Sequence, residues 1–174
     1  VRFARGKWVL FVANDVRLHS GCVQSLWDGC GRIIADAPWG AEGSIGLVQP
    51  AVYALQGVDH YGMSWRWPGY GVRIRRWNFA PTWYREVPVV PATCFLVNRQ
   101  TFLSMGGFDP ALGISHEDVD LCLRYQRQGY RHYCVASAAV VHLMGQTVPR
   151  TVKDLSPYYH RARLIVIQKG YQGM

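Results

Sequence analysis

The chain is 174 residues long, 49% hydrophobic and 17% charged, which suits one domain with a substantial core and excludes a disordered polymer. A formal net charge of +8 and an isoelectric point near 9.5 call for an anionic partner: a nucleotide diphosphate, an acidic membrane surface or a nucleic acid. Five scattered cysteines with no Cys-x-x-Cys pair signal neither a zinc site nor a disulfide framework, and they read as small core residues in a reducing compartment.

Trp8 to Ala13 is a continuous apolar run, which predicts a parallel central strand buried on both faces. It breaks at Asn14-Asp15, leaving polar groups at a carboxyl strand end, where open α/β sheets bind ligands; the plain alternative is an Asn-Asp turn. His19 or Ser20 starts a helix through Val23, Leu26, Trp27, Cys30, Ile33 and Ile34, one apolar face for the sheet, ending near Pro38. Ile45 to Val48, before Gln49-Pro50, reads as a further buried strand. From about residue 57 to 86 the period is lost and aromatics mix with arginines, with at least one short strand, Val72 to Trp77. Rings such as Trp67 stack on sugars and guanidinium groups such as Arg76 pair with phosphates, so this insertion suits an acceptor or a membrane surface. The same mixture suits a nucleic-acid strand, and in the plainest reading the rings only fill the underside of the insertion.

Pro91 to Val97 returns to strand character and Thr101 to Met105 forms a short helix, which Gly106-Gly107 and Asp109-Pro110 must end. Ser115-x-x-Asp118 has the spacing of a capping box and predicts a helix from about His116 to about Gln128, stopped by Gly129. Glu117 and Asp118 then lie in the first helical turn, where the macrodipole keeps a carboxylate ionised. Asp118 is either a positioned base or only a cap bonded to Ser115. Arg131 to Val135 and Ala138 to Leu143 read as short strands, with His142 closing the second. Pro157 to Lys169 is a helix with a basic flank of His160, Arg161, Arg163 and Lys169. No apolar run reaches the roughly 20 residues that span a bilayer, and no charged-then-apolar leader opens the chain, so a soluble protein is expected.

The succession of Gly-Gly-Phe-Asp at 106–109, His-Glu-Asp-Val-Asp-Leu-Cys-Leu-Arg at 116–124, Gly129-Tyr130 and Ala139-Val-Val-His142 closely resembles family-2 glycosyltransferases of the GT-A fold, nearest the rhamnosyltransferase-like branch. The resemblance covers nearly the whole chain. It implies an α/β fold, an incomplete GT-A (nucleotide-diphospho-sugar transferase) sheet, mixed and mostly parallel, flanked by helices. The chain would be a single partial catalytic domain over 1–174 carrying the insertion at about 57–86. The nucleotide-holding strands of that family precede the Asn14-Asp15 position, so the chain is expected to be the carboxyl-terminal portion of a longer enzyme, with a raw sheet edge beside the Trp8 strand.

The resemblance further implies an inverting transfer of a sugar from a nucleotide diphosphate donor to a hydroxyl of a glycan or lipid-linked acceptor. Asp118 would be the general base with Glu117 beside it, and Asp109, Gly107, Trp67 and Arg76 would bind substrate. Asp15 and His142 would hold Mg²⁺ or Mn²⁺, because a hard cation neutralises the charge that develops on a leaving diphosphate. Ala13 departs from the pattern, standing where the family carries an acidic or amide ligand. That loss motivates an alternative, a catalytically inert glycan-binding or scaffold module; the charge motivates a weaker one, a basic nucleic-acid-binding domain. On the leading reading no nucleic acid is a partner, and the enzyme works in the cytoplasm or peripherally at the inner face of the membrane. Asp15, Asp118 and His142 must then converge on one edge of the sheet, around a cleft.

Overall fold

The computed structural model describes residues 1–36, 44–66, 70–76, 83–143 and 156–169. Its strands are β1 (Trp8–Val12), β2 (Val16–Leu18), β3 (Ile45–Ala54), β4 (Gly57–His60), β5 (Met63–Arg66), β6 (Tyr70–Arg73), β7 (Tyr84–Glu86), β8 (Cys94–Asn98) and β9 (Arg131–His142). Its helices are α1 (Cys22–Asp36), α2 (Arg99–Ser104), α3 (Glu117–Arg127) and α4 (Ser156–Gln168), with a 3₁₀ turn at Pro110–Leu112.

The main sheet runs β1-β8-β3-β9-β2, with β4 added to β3 and β7 to β9; β5 and β6 form a separate hairpin. The sheet is mixed, as the resemblance implies, but its bias is antiparallel. Among the described strands only β3 and β9 pair in parallel. β1 is likewise not a central parallel strand: it runs antiparallel to β8 at the end of the sheet and is half-buried over most of its length. An apolar run reads the same whether its cover comes from strands on both flanks or from rings on its faces, and here rings supply it: Phe11 stacks on Phe95 at 4.8 Å and meets Phe102 and Phe108.

Alternation along β3 and β8 splits the core into two layers. Leu47, Phe95 and Val97 join Phe102, Val119, Leu121 and Val166 under α2, α3 and α4. Val48, Cys94 and Leu96 join Cys22, Leu26, Cys30 and Ile33 under α1. Each such buried aliphatic or aromatic side chain contributes about 1.5–3 kcal/mol relative to exposure. Gly29 lets α1 lie close on β9, since a Cβ there would come within 2.5 Å of Val135. All five cysteines are free and buried in these layers.

β3 is longer than the four-residue strand expected, running through Gln49-Pro50, and the ladder to β9 shifts register between Pro50 and Ala51. A proline donates no ladder hydrogen bond, so a bulge is where a strand tolerates one. The same bulge joins the two expected strands at Arg131–Val135 and Ala138–Leu143 into one β9, with Pro50 facing Val135 and Ala51 facing Ala139. β6 ends at Arg73, short of the Trp77 expected from the sequence, and Trp77 lies outside the described residues, as does Pro38.

Candidate active site

Two backbone pairings bring distant polar residues together. β2 pairs with the end of β9 so that Val16 faces His142, and the Leu143 N–H donates to the Asp15 carbonyl at 2.8 Å. Asp15 therefore lies beside His142, its Oδ2 3.3 Å from the imidazole Nε2. At the end of β1 the Ala13 N–H donates to the Thr93 carbonyl at 2.9 Å, and the next amide, Ala92 N–H, donates to Asp118 Oδ2 at 3.1 Å. The turn at 91–93 thus joins the Asp15 loop to the first turn of α3. Ala13, Asp15, Thr93, Glu117, Asp118 and His142 all line one cleft of about 510 Å³.

The start of α3 differs from the capping box expected of Ser115 and Asp118. His116 occupies the N-cap position in a left-handed conformation, φ 63°, with no side-chain cap bond. Ser115 Oγ pairs with His116 Nδ1 at 2.6 Å instead. Asp118 Oδ1 accepts from the Val119 N–H at 2.7 Å while Oδ2 takes the Ala92 amide, so the carboxylate is spent on the cleft wall and not on Ser115. Burial pushes the Asp118 carboxyl up, and these backbone donors hold it back. Glu117 is pushed up to about 7, first by burial and then by the charge of Asp118.

The insertion supplies groups that sequence reasoning passed over. His60 at the end of β4 and Arg73 at the end of β6 both line the cleft. Asp59, 5% exposed, forms an ion pair with Arg73 and anchors its guanidinium there. His60 Nδ1 accepts from the Gly62 N–H at 3.2 Å, which leaves Nε2 to carry the proton, and burial lowers its pKa to about 4. Asp59-His60 is a polar pair at a strand end, the same signal that marked Asn14-Asp15.

Other expected substrate residues lie elsewhere. Gly107 and Asp109 line a separate pocket of about 280 Å³ with Arg124 and Lys169. There Asp109 caps the 3₁₀ turn through the Ala111 N–H and pairs with Lys169 at 2.7 Å, and the Gly107 carbonyl accepts from Arg124. Their local bonds hold the turn before α3. Arg76 is exposed and lines no wall of the cleft, its carbonyl accepting from Arg85; Trp67 lies outside the described residues.

Asp15 and His142 form a two-donor pair of carboxylate and imidazole, and His142 Nδ1 is buried with no hydrogen-bond partner among the described residues. Such a pair suits a divalent cation that takes its remaining oxygens from a phosphate-bearing ligand. Among the described residues no group of three or more His, Cys, Asp or Glu side chains is gathered to hold a metal unaided. Ala13 beside them adds no side-chain oxygen.

No family model matches the chain. It is 25% identical over 180 residues to the N-acetylglucosaminyl-diphospho-decaprenol L-rhamnosyltransferase of Mycobacterium tuberculosis, a match covering 95% of this chain and 56% of that protein. It is 37% identical over 151 residues to the O-antigen biosynthesis protein RfbC of Myxococcus xanthus, covering 80% of this chain and 11% of that one. The chain thus spans about half the length of the first relative and a small part of the second. Its fold is similar to that in the crystal structure of GalNAc-T7 with UDP, GalNAc and Mn²⁺, with a TM-score of 0.67 at 16% identity, over 94% of this chain and 31% of that one. In sequence the chain is similar to a rhamnosyltransferase and an O-antigen biosynthesis protein, and in fold to a glycosyltransferase, which together support a GT-A-like glycosyltransferase.

Proposed function

We propose that the chain is the main part of a catalytic domain that transfers a sugar, with inversion, from a nucleotide diphosphate donor to a hydroxyl of a glycan or lipid-linked acceptor. The convergence of Asp15, His142, Glu117 and Asp118 on one cleft carries this reading, because more than a hundred positions separate Asp15 from Asp118 and nothing local requires them to meet. Asp118 takes the proton of the attacking hydroxyl. Its two backbone donors fix the carboxylate in one orientation, and its partial burial makes it a stronger base than a solvated aspartate. Glu117, half protonated near neutrality, donates to or accepts from a sugar hydroxyl beside it. Asp15 and His142 would hold Mg²⁺ or Mn²⁺, which when bound offsets the charge of the leaving diphosphate. Arg73, anchored by Asp59, adds a fixed positive charge on the insertion side of the cleft.

The domain works at the cytoplasmic side of the membrane on this reading; among the described residues no helix is long and apolar enough to cross a bilayer. The decisive measurement is transfer by the full-length Asp118→Asn enzyme. Loss of a positioned base lowers kcat by about 10²–10⁴, and an unchanged kcat removes Asp118 from the role. The missing oxygen at Ala13 favours a second reading, an inert glycan-binding module of the same fold. Calorimetry of the full-length protein with Mn²⁺ and nucleotide sugars separates the two. The enzyme gives metal-dependent heat that Asp15→Ala abolishes, and the inert module gives none.

A further inference from the structure

Trp65 lines two cavities. One, of about 280 Å³, shares Met63, Ile114, Glu117, Asp118 and Tyr159 with the cleft described above. The other, of about 690 Å³, is bounded by Trp65, Arg85, Glu86, Gln126, Tyr130 and Arg131, among others, and takes no part in the transfer chemistry. The three spaces are joined by shared walls, Asp118 lining the first two and Trp65 the last two. Trp65 is held at this junction by His116, whose ring meets it edge-on at 5.6 Å and 87°. His116 in turn occupies the N-cap position of α3, next to Glu117.

The outer cavity has the chemistry of a carbohydrate site. Trp65 and Tyr130 are half-buried rings, which offer flat apolar faces. Arg131 and Glu86, paired at 2.9 Å and each about half exposed, offer planar groups to neighbouring hydroxyls, and Arg85 and Gln126, which also bond the carbonyls of Arg76 and Pro88, add polar atoms to the same wall. A lipid chain would strip water from these charges without replacing it, and a bare diphosphate would meet the carboxylate of Glu86. A pyranose has both an apolar face and a rim of hydroxyls, so it satisfies rings and charges together. We propose that the outer cavity is a second carbohydrate site, holding a sugar of the acceptor glycan remote from the one being extended, so that the acceptor is a chain of at least two sugars. This rests on reading the inner cleft as the transfer site.

The test uses the full-length protein and its Trp65→Ala and Arg131→Ala variants, on an array of bacterial envelope oligosaccharides one to six sugars long, with no donor present. Arg131 is an exposed side chain whose truncation spares the core, so that variant stays folded if Trp65→Ala does not. Wild-type binding should rise about tenfold or more between one sugar and the longer glycans, and the folded variants should lose that rise. Binding that is absent, independent of length, or retained in Arg131→Ala together with a folded Trp65→Ala overturns the outer site. The same glycans then serve as acceptors with a panel of nucleotide sugars. Length-dependent binding without transfer leaves the outer site standing and removes the catalytic reading. Transfer with the same kcat/KM for one sugar as for longer glycans does the reverse.

Discussion

Glu117 gives the site a measurable signature in stability. An acid whose pKa folding raises binds its proton more tightly in the folded chain, so the stability it contributes is complete below about 4.5 and is lost as the pH rises through about 7. Between pH 5 and pH 8 this residue should therefore remove about 1–3 kcal/mol of unfolding free energy, against a rise from His60 and His132, which burial lowers to about 4 and which gain stability as the pH climbs towards 6.5. The readout is the difference between the urea unfolding free energies of wild type and Glu117→Gln: the variant should lack this loss, and a difference that does not change with pH would mean that Glu117 is not buried beside a charge. The carboxylates themselves were legible in the sequence, because a first helical turn after a glycine break is a local pattern. What the sequence concealed is the competition for Asp118: Ser115 is the nearer partner, but the Ala92 amide, buried in a distant turn, takes the oxygen. His60 and Arg73 were illegible as cleft residues for a similar reason, since only the β4 and β6 hairpins bring them there.

α3 carries both acids and is held at several points along its length. Asp120, with no exposed surface, bonds Arg124 at 2.8 Å and also pairs with Lys169 just past α4. Arg124 reaches on to the carbonyls of Met105 and Gly107. On the sheet side, the buried His132 of β9 accepts from the Leu47 N–H at 3.0 Å and, with the proton that leaves on Nε2, donates to the Cys122 carbonyl at 3.0 Å. Asp120→Ala strands both cations, which are partly exposed and regain some hydration, so a loss of about 2–4 kcal/mol is expected. Lys169→Met leaves Asp120 with Arg124 and should cost less than half as much. Equal losses, measured by urea denaturation, would show that the α4 contact and not the helix's own ion pair carries the clasp. α1, α3 and α4 were visible as periodic stretches because their apolar spacing is written over one or two turns. That Gly107 and Asp109 line a separate pocket was not legible, because a turn that organises a helix and a turn that binds a ligand use the same residues.

At the scale of the molecule, the mixed sheet flanked by helices was legible through the resemblance that the Gly-Gly-Phe-Asp and Glu-Asp motifs carry. The antiparallel bias was not, because strand direction depends on which distant edges meet. β9 shows what that pairing controls. One of its edges follows β3 in parallel, and the other is shared between β7 and β2 on either side of the bulge. Contacts of such long range carry a loop-closure cost before they yield any stability. On the ribosome this ordering becomes a sequence in time. β1, β3 and β8 emerge first and are able to pair, but Asp15 waits for His142, Leu47 waits for His132, and β2 and β7 both wait for the same strand. A nascent chain that stops short of His142 is therefore without a finished cleft, whose walls close only as β9 docks and α4 adds Tyr159.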